Sequence, residues 1–342
     1  MSRQLPLPPH FNPIKVGEVW RVHYEEIAEA AEMWIKENNI KPASDDLFKA
    51  CLIAVDVQNT FCIPGFELYV GGKTGSGAVD DNRRLCEFIY RNLNYITQIS
   101  PTMDTHQAVQ IFHSVFLVND EGEHPAPFTV VSEEDLKKGR WQFNPSLGNI
   151  FGKSPSEIQK HLLYYSSKLG ETGKYELTVW PYHAMLGGIG HALVSSFEEC
   201  VFFHSIARRA EIDFYIKGNH PLTEHYSILG PEVDTDYQGN RLGEKTDKFL
   251  KKLNQFDAVI IAGQAKSHCV AWTLADLLRN ILSHDNSLVN NVYVLEDCTS
   301  PVVVPGVVDY TDIADRAFQG FANSGMNLVR STDPIEVWPG IK

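Results

Sequence analysis

Hydrophobic residues along this chain fall into two kinds of run. Short uninterrupted runs, of the kind a strand buried on both faces requires, occur at 51–56 in "LFKACLIAVDVQ" and in "EIDFYIKG", "FDAVIIAG", "NVYVLEDC" and "MNLVRS". A further strand is expected to end near "ITQISPTMD". Between these lie segments with helical spacing: "RRLCEFIYRNL" and the stretches around 241–253, 269–284 and 312–324. Residues 22–38 place Val22, Ile27, Ala30, Ala31 and Trp34 at helical intervals, which predicts a helix packed on the body or on a partner subunit. Strands alternating with helices predict βαβ units and a mostly parallel sheet covered on both faces, a three-layer α/β/α sandwich.

The rhythm also sets the expected boundaries. Residues 1–14 are proline-rich, so 1–45 reads as an arm and a helix, and 46–342 as one α/β domain. Residues 119–178 interrupt the alternation with a polar, turn-rich stretch, expected to be an insertion. Phe128, Trp141, Phe143 and Phe151 are too many aromatics for a solvated loop, so it is expected to be partly ordered and to narrow access to a site as a lid. "GGKTGSG" lacks the spacing of a phosphate-binding loop.

Composition narrows the function. With 342 residues, 43% of them hydrophobic, the chain can bury a sizeable core. A formal net charge of −13 argues against nonspecific binding to nucleic acid or anionic membranes. There is no 18-residue apolar run, and the N-terminus has no apolar signal-peptide core. Six cysteines without a CxxC pair fit a reducing compartment, so a cytoplasmic protein is expected.

In open α/β sheets, reactive groups gather beyond the carboxyl ends of the strands. Asp56 ends the first run, Lys217 ends "EIDFYIKG", and Cys269 follows "VIIAGQAKSH" where a helix is expected to begin. Taken singly, each has an ordinary explanation: a strand-end cap, a surface charge, a core thiol. Together they are an acid, an amine and a nucleophile. A thiol at a helix start beside a lysine is expected to have a lowered pKa, and the carboxylate can take its proton and later deliver it to a leaving amine. A second group lies in "MDTHQAVQIFH" and "VWPYHAM". Asp104, His106 and His183 could form a two-histidine, one-carboxylate metal site, while His113 is read as a structural or supporting histidine.

The ordered set "AVDVQNTF", "DTH", "VWPYH", "YIKG" and "IAGQAKSHCVAWTLADLL" resembles the isochorismatase-like cysteine hydrolases, in their nicotinamidase branch, from about residue 48 to 332. The resemblance implies a catalytic triad of Asp56, Lys217 and Cys269. It also implies one divalent metal ion on Asp104, His106 and His183, zinc first, with iron or manganese as alternatives. Phe61 and Trp180 would pack against the substrate ring. A cis bond would join Gln264 to Ala265, with the Ala265 and Cys269 N–H groups forming the oxyanion hole. The implied reaction is hydrolysis of a small amide, nicotinamide first, with other amides, ureides or carbamates as the nearest rival. A noncatalytic metal-binding or scaffold protein on the same fold is the reading from a different class. The expected partner is the small-molecule substrate, with no nucleic acid and no membrane, in a homo-oligomer. Two departures stand out. Ala184 follows the ligand histidine where the family usually has cysteine, and Gln264, Lys266, Ser267 and His268 replace the family's common residues. Lys266 and His268 are expected to alter pocket polarity.

Overall fold

A computed structural model describes residues 4–173, 175–243 and 254–341. At its centre six parallel strands form one sheet: β1 (Ala50–Val55), β2 (Ile96–Asp104), β3 (Tyr215–Lys217), β4 (Ala258–Gly263), β5 (Val292–Leu295) and β6 (Asn327–Val329). Their spatial order is β6-β5-β4-β1-β2-β3. Every residue of β1 is buried, and its side chains alternate between two cores. Ala50, Leu52 and Ala54 join one apolar cluster, and Cys51, Ile53 and Val55 join the other. That period of two explains why the run is continuously apolar: both faces are covered.

The first core is closed by α1 (Tyr24–Asn38), α2 (Gly77–Arg91) and α4 (Ser195–Arg208). The second is closed by α5 (Ala271–His284) and α6 (Thr311–Asn323). α5 has the expected period, with Leu274, Leu277 and Ile281 turned into the core. The architecture is a three-layer α/β/α sandwich. The helix expected around 241–253 lies mostly outside the described residues.

α1 packs on the body, against α4, through Ile27, Ala31 and Trp34. The arm before it also docks: Leu5 N–H donates to Arg91 O at 2.8 Å, and the Phe11 ring lies 5.2 Å from that of Tyr90. Among the described residues no helix is long and apolar enough to cross a membrane.

Residues 119–178 are more structured than their polarity suggests. They contain α3 (Pro155–Glu171), whose start is a complete capping box: Ser154 Oγ accepts from Glu157 N–H, and the Glu157 carboxylate accepts from Ser154 N–H. Pro155 occupies the first helical position, where no N–H is needed. Ile158, Leu162, Tyr165 and Leu169 then fall on one face and build a third apolar cluster with Phe112, Phe116 and Trp180. Two short antiparallel ladders hold the segment: 117–118 with 142–143 ties it to the residues just before it, and 130–131 with 177–178 closes it on itself.

Candidate active site

The strand order dictates where a site can form. The chain lays down β1, β2 and β3 in one direction, then crosses back to place β4 on the other side of β1. Connections leaving β1 and β4 therefore diverge, and a crevice opens beyond their carboxyl ends. Asp56 is the first residue after β1, with a left-handed φ of 47°. Its N–H donates to Thr102 Oγ1 at 3.0 Å, and the Thr102 hydroxyl donates back to Asp56 Oδ1 at 2.5 Å. β4 ends at Gly263, whose φ is 112°. A Cβ there would stand 2.1 Å from Val55 O, so only glycine permits the strands to approach this closely. The Gln264–Ala265 bond that follows is cis. Lys266–Val270 form one π-type turn that carries Cys269 and leads into α5.

Lys217 ends β3 and reaches back under the crevice. Its Nζ lies 2.9 Å from Asp56 Oδ2, 3.0 Å from Asp104 Oδ1 and 3.5 Å from Cys269 Sγ. Three residues separated by 213 positions of chain thus meet in one buried cluster. Burial works against the Lys217 charge, but Asp104, Asp56 and Cys269 outweigh it and raise its pKa well above the ordinary value. Burial raises Asp56, with Lys217 opposing. Cys269 departs from the expected direction. Burial pushes its thiol well above the ordinary value, the neighbouring carboxylates push the same way, and Lys217 offsets only part of this. A lysine lowers a thiol pKa when its charge is available, and here two carboxylates already share that charge.

Beside this cluster Asp104, His106 and His183 converge, with one candidate ligand atom from each lying within 4.8 Å of the others. Asp104 Oδ2 is 2.8 Å from His106 Nε2 and 3.7 Å from His183 Nε2. His106 Nδ1 faces Gly218 O at 3.2 Å, and His183 Nδ1 faces Pro181 O at 2.8 Å. A carbonyl can only accept, so each Nδ1 carries the proton and each Nε2 presents a lone pair. That is the tautomer a metal needs. Burial raises Asp104, but His106 and Lys217 outweigh it and hold its carboxyl well below the usual range. A carboxylate and two imidazoles with this polarity fit a divalent cation. Gly218 leaves the room: a Cβ there would lie 2.6 Å from Asp104 Oδ1. His113 is not one of the three. Its Nδ1 lies 3.2 Å from Ala108 O, its ring lies 6.1 Å from that of His106, and burial pushes its pKa down to about 3.

Both clusters open on one small cavity, lined by Cys269, Asp104 and His183 together with the aromatics Phe61, Trp180 and Tyr226. Phe61 meets the His183 ring edge-on at 5.5 Å, and Trp180 Nε1–H donates to Tyr226 OH at 2.9 Å. Ala265, the residue after the cis bond, is also on the wall. Of the two residues expected to change polarity, only His268 lines the cavity. Lys266 turns to α6, 2.5 Å from Asp315 Oδ1 and over the Phe318 ring. No described residue of 119–178 lines the cavity. The segment acts from behind, through Phe128 against Trp180 and through Tyr175, whose hydroxyl donates to Ser267 O at 3.0 Å.

Two residues here were not singled out in the sequence. Gln58 clamps the strand that carries Asp104: its Nε2–H donates to Asp104 O at 2.9 Å, and its Oε1 accepts from Asp104 N–H at 2.8 Å. The motif "DVQNTF" contained it. Glu224 also lines the cavity, and burial pushes its carboxyl up to about 7. Nothing in "PLTEHYS" distinguishes that glutamate from a surface one.

The architecture is the fold of the isochorismatase-like hydrolases. The chain is similar to the solved nicotinamidase/pyrazinamidase of Acinetobacter baumanii at 18% identity and a TM-score of 0.50, over 84% of this chain and 99% of that one. It also aligns with the yeast nicotinamidase at 19% identity and a TM-score of 0.49, over 82% of this chain and 99% of that one. No family model and no curated protein sequence matches it.

Proposed function

We propose that this protein is a cysteine amidohydrolase of the isochorismatase-like family that cleaves the C–N bond of a small amide, nicotinamide first. The observation that carries this reading is Lys217 Nζ lying within 3.5 Å of both Asp56 Oδ2 and Cys269 Sγ, with Cys269 on the wall of a small cavity. Asp56, Lys217 and Cys269 are the catalytic residues. Cys269 Sγ attacks the amide carbonyl as its proton passes to Asp56. Lys217 stays charged throughout, so the proton moves without changing the net charge of the buried cluster. The backbone N–H groups of Ala265 and Cys269 receive the oxyanion. Asp56 returns the proton to the leaving nitrogen, and ammonia departs from a thioester. Asp56 then takes a proton from water as the water oxygen attacks the thioester carbonyl, and passes that proton to the departing Cys269 sulfur as the acid is released.

Phe61 and Trp180 supply apolar faces for a flat substrate. Asp104, His106 and His183 would hold one divalent ion, zinc first, with iron or manganese compatible with the same donors. Bound there, the ion supplies a Lewis-acidic contact for a ring nitrogen or similar group and so orients the substrate.

Gln264 and His268 favour a second reading, a related hydrolase of another small amide, ureide or carbamate, because they change the nucleophile's turn. Six free buried cysteines support a reducing, cytoplasmic setting. A homo-oligomer whose only other partner is the substrate completes the proposal. Ammonia release from nicotinamide by the wild type, and none by Cys269→Ala, is the expected result. No release from any carboxamide, ureide or carbamate would overturn the amidohydrolase reading.

A further inference from the structure

His268 is the residue immediately before the nucleophile, and it is buried. Four rings enclose its imidazole: Tyr310 at 4.7 Å, Tyr175 at 5.0 Å, and Trp180 and Tyr226 each at 5.4 Å. None of these is a ligand of the Asp104 cluster. His183, the cavity's other imidazole, packs instead with Phe61, His106 and His113. The cavity therefore has two separate polar ends on otherwise apolar walls.

Ser267 determines which hydrogen His268 can offer. Ser267 Oγ accepts from Val302 N–H at 3.0 Å and lies 2.9 Å from His268 Nδ1. Val302 can only donate, so the buried serine hydroxyl has its own hydrogen to place, and Nδ1 is the acceptor within reach. The proton of the neutral ring then sits on Nε2. Burial keeps the ring neutral, pushing its pKa down to about 3. Among the described residues Nε2 has no hydrogen-bond partner. A buried N–H without a partner is uncommon and favours any ligand that brings an acceptor.

We propose that His268 is a specificity-determining residue whose Nε2–H donates to a second acceptor on the substrate. This selects flat amides that carry such an acceptor beside the scissile carboxamide, in addition to the group at the metal end. The inference rests on the amidohydrolase reading.

Nicotinamide and pyrazinamide form a matched pair, differing by one ring C–H replaced by nitrogen next to the carboxamide. The test is the ratio of kcat/KM for pyrazinamide over nicotinamide in the wild type, His268→Phe and His268→Gln. His268→Phe keeps a flat ring and should lower the ratio about tenfold, the worth of one buried hydrogen bond. His268→Gln keeps an N–H donor and should retain most of the ratio. The ratio of nicotinamide to benzamide, which differs at another ring atom, should not move. An unchanged pyrazinamide ratio, or equal losses on both substrates, overturns the role of His268 while leaving the amidohydrolase intact. A wild type that hydrolyses no amide overturns the underlying reading instead. Imidazole 15N shifts, with His268 assigned by its loss in His268→Gln, give a readout independent of turnover. Protonated Nε2 and bare Nδ1 are expected, and the opposite tautomer overturns the inference.

Discussion

The strand-end crevice and the 119–178 segment solve opposite problems. In the crevice, polar groups are buried: Asp56, Asp104, His106 and Lys217 are each at most 4% exposed. They remain there because each charge has an opposite charge or a hydrogen-bond partner within about 3 Å, which offsets much of the desolvation cost. In the segment, a mostly polar sequence hides a thin apolar face, and Ile158, Leu162 and Tyr165 have at most 1% of their surface exposed. The first region spends stability on chemistry. The second supplies packing that holds Trp180 and Tyr175 in place behind the cavity wall.

The contrast is sharpest if each region can be broken without the other. Cys269→Ala should lower turnover by about a thousandfold or more and leave the melting temperature nearly unchanged, because it deletes a nucleophile and very little volume. Retention of more than about a tenth of wild-type turnover would refute the covalent role. Leu162→Ala should do the reverse, costing about 3 kcal/mol in denaturant unfolding by opening a cavity in the third cluster. Its kcat/KM under native conditions should stay within about twofold of wild type. A large activity loss with full stability would mean that the segment takes part in the site directly.

Metal removal probes the crevice alone. A chelator should raise KM by about tenfold or more with little unfolding, because Lys217 still pairs with Asp104 and Asp56. His183→Ala should lower metal content, measured by elemental analysis. Full retention of metal in that variant would shift the third ligand to His113. The smallest effect is expected where the two regions touch. Tyr175→Phe removes the hydroxyl that donates to Ser267 O, and should cost about 1 kcal/mol of stability and change kcat/KM by only about twofold. A tenfold loss would make the segment a necessary support for the nucleophile's turn.

Much of this arrangement can be read from sequence, and the residues show why. Asp56 and Lys217 end apolar runs and Cys269 follows one, so local pattern was enough to place them at or beyond strand ends, although the run before Lys217 proves to be an edge strand with Ile216 65% exposed. Gly263 is explained by its neighbours, yet its need for glycine comes from Val55, more than 200 residues away. α3 was announced by the capping box in "SPSEIQKHL" and by apolar residues at helical spacing, a signal masked by the polar residues around it. Lys266 and His268 looked equivalent, two residues apart beside the nucleophile. The π-type turn sends one to α6 and the other to the cavity.

What the chain's local order determined by itself is the alternation of strands and helices, the sites where that alternation leaves polar residues at strand ends, and Cys269 as the candidate nucleophile. These depend on side-chain periodicity and backbone propensity, which act over a few residues. Only the tertiary structure decided that burial would raise the Cys269 thiol, that Glu224 would line the cavity, and that His268 Nε2 would have no partner among the described residues. Each of those depends on desolvation and on charges brought within a few ångströms from distant parts of the chain, and neither can be summed until the fold has placed the neighbours.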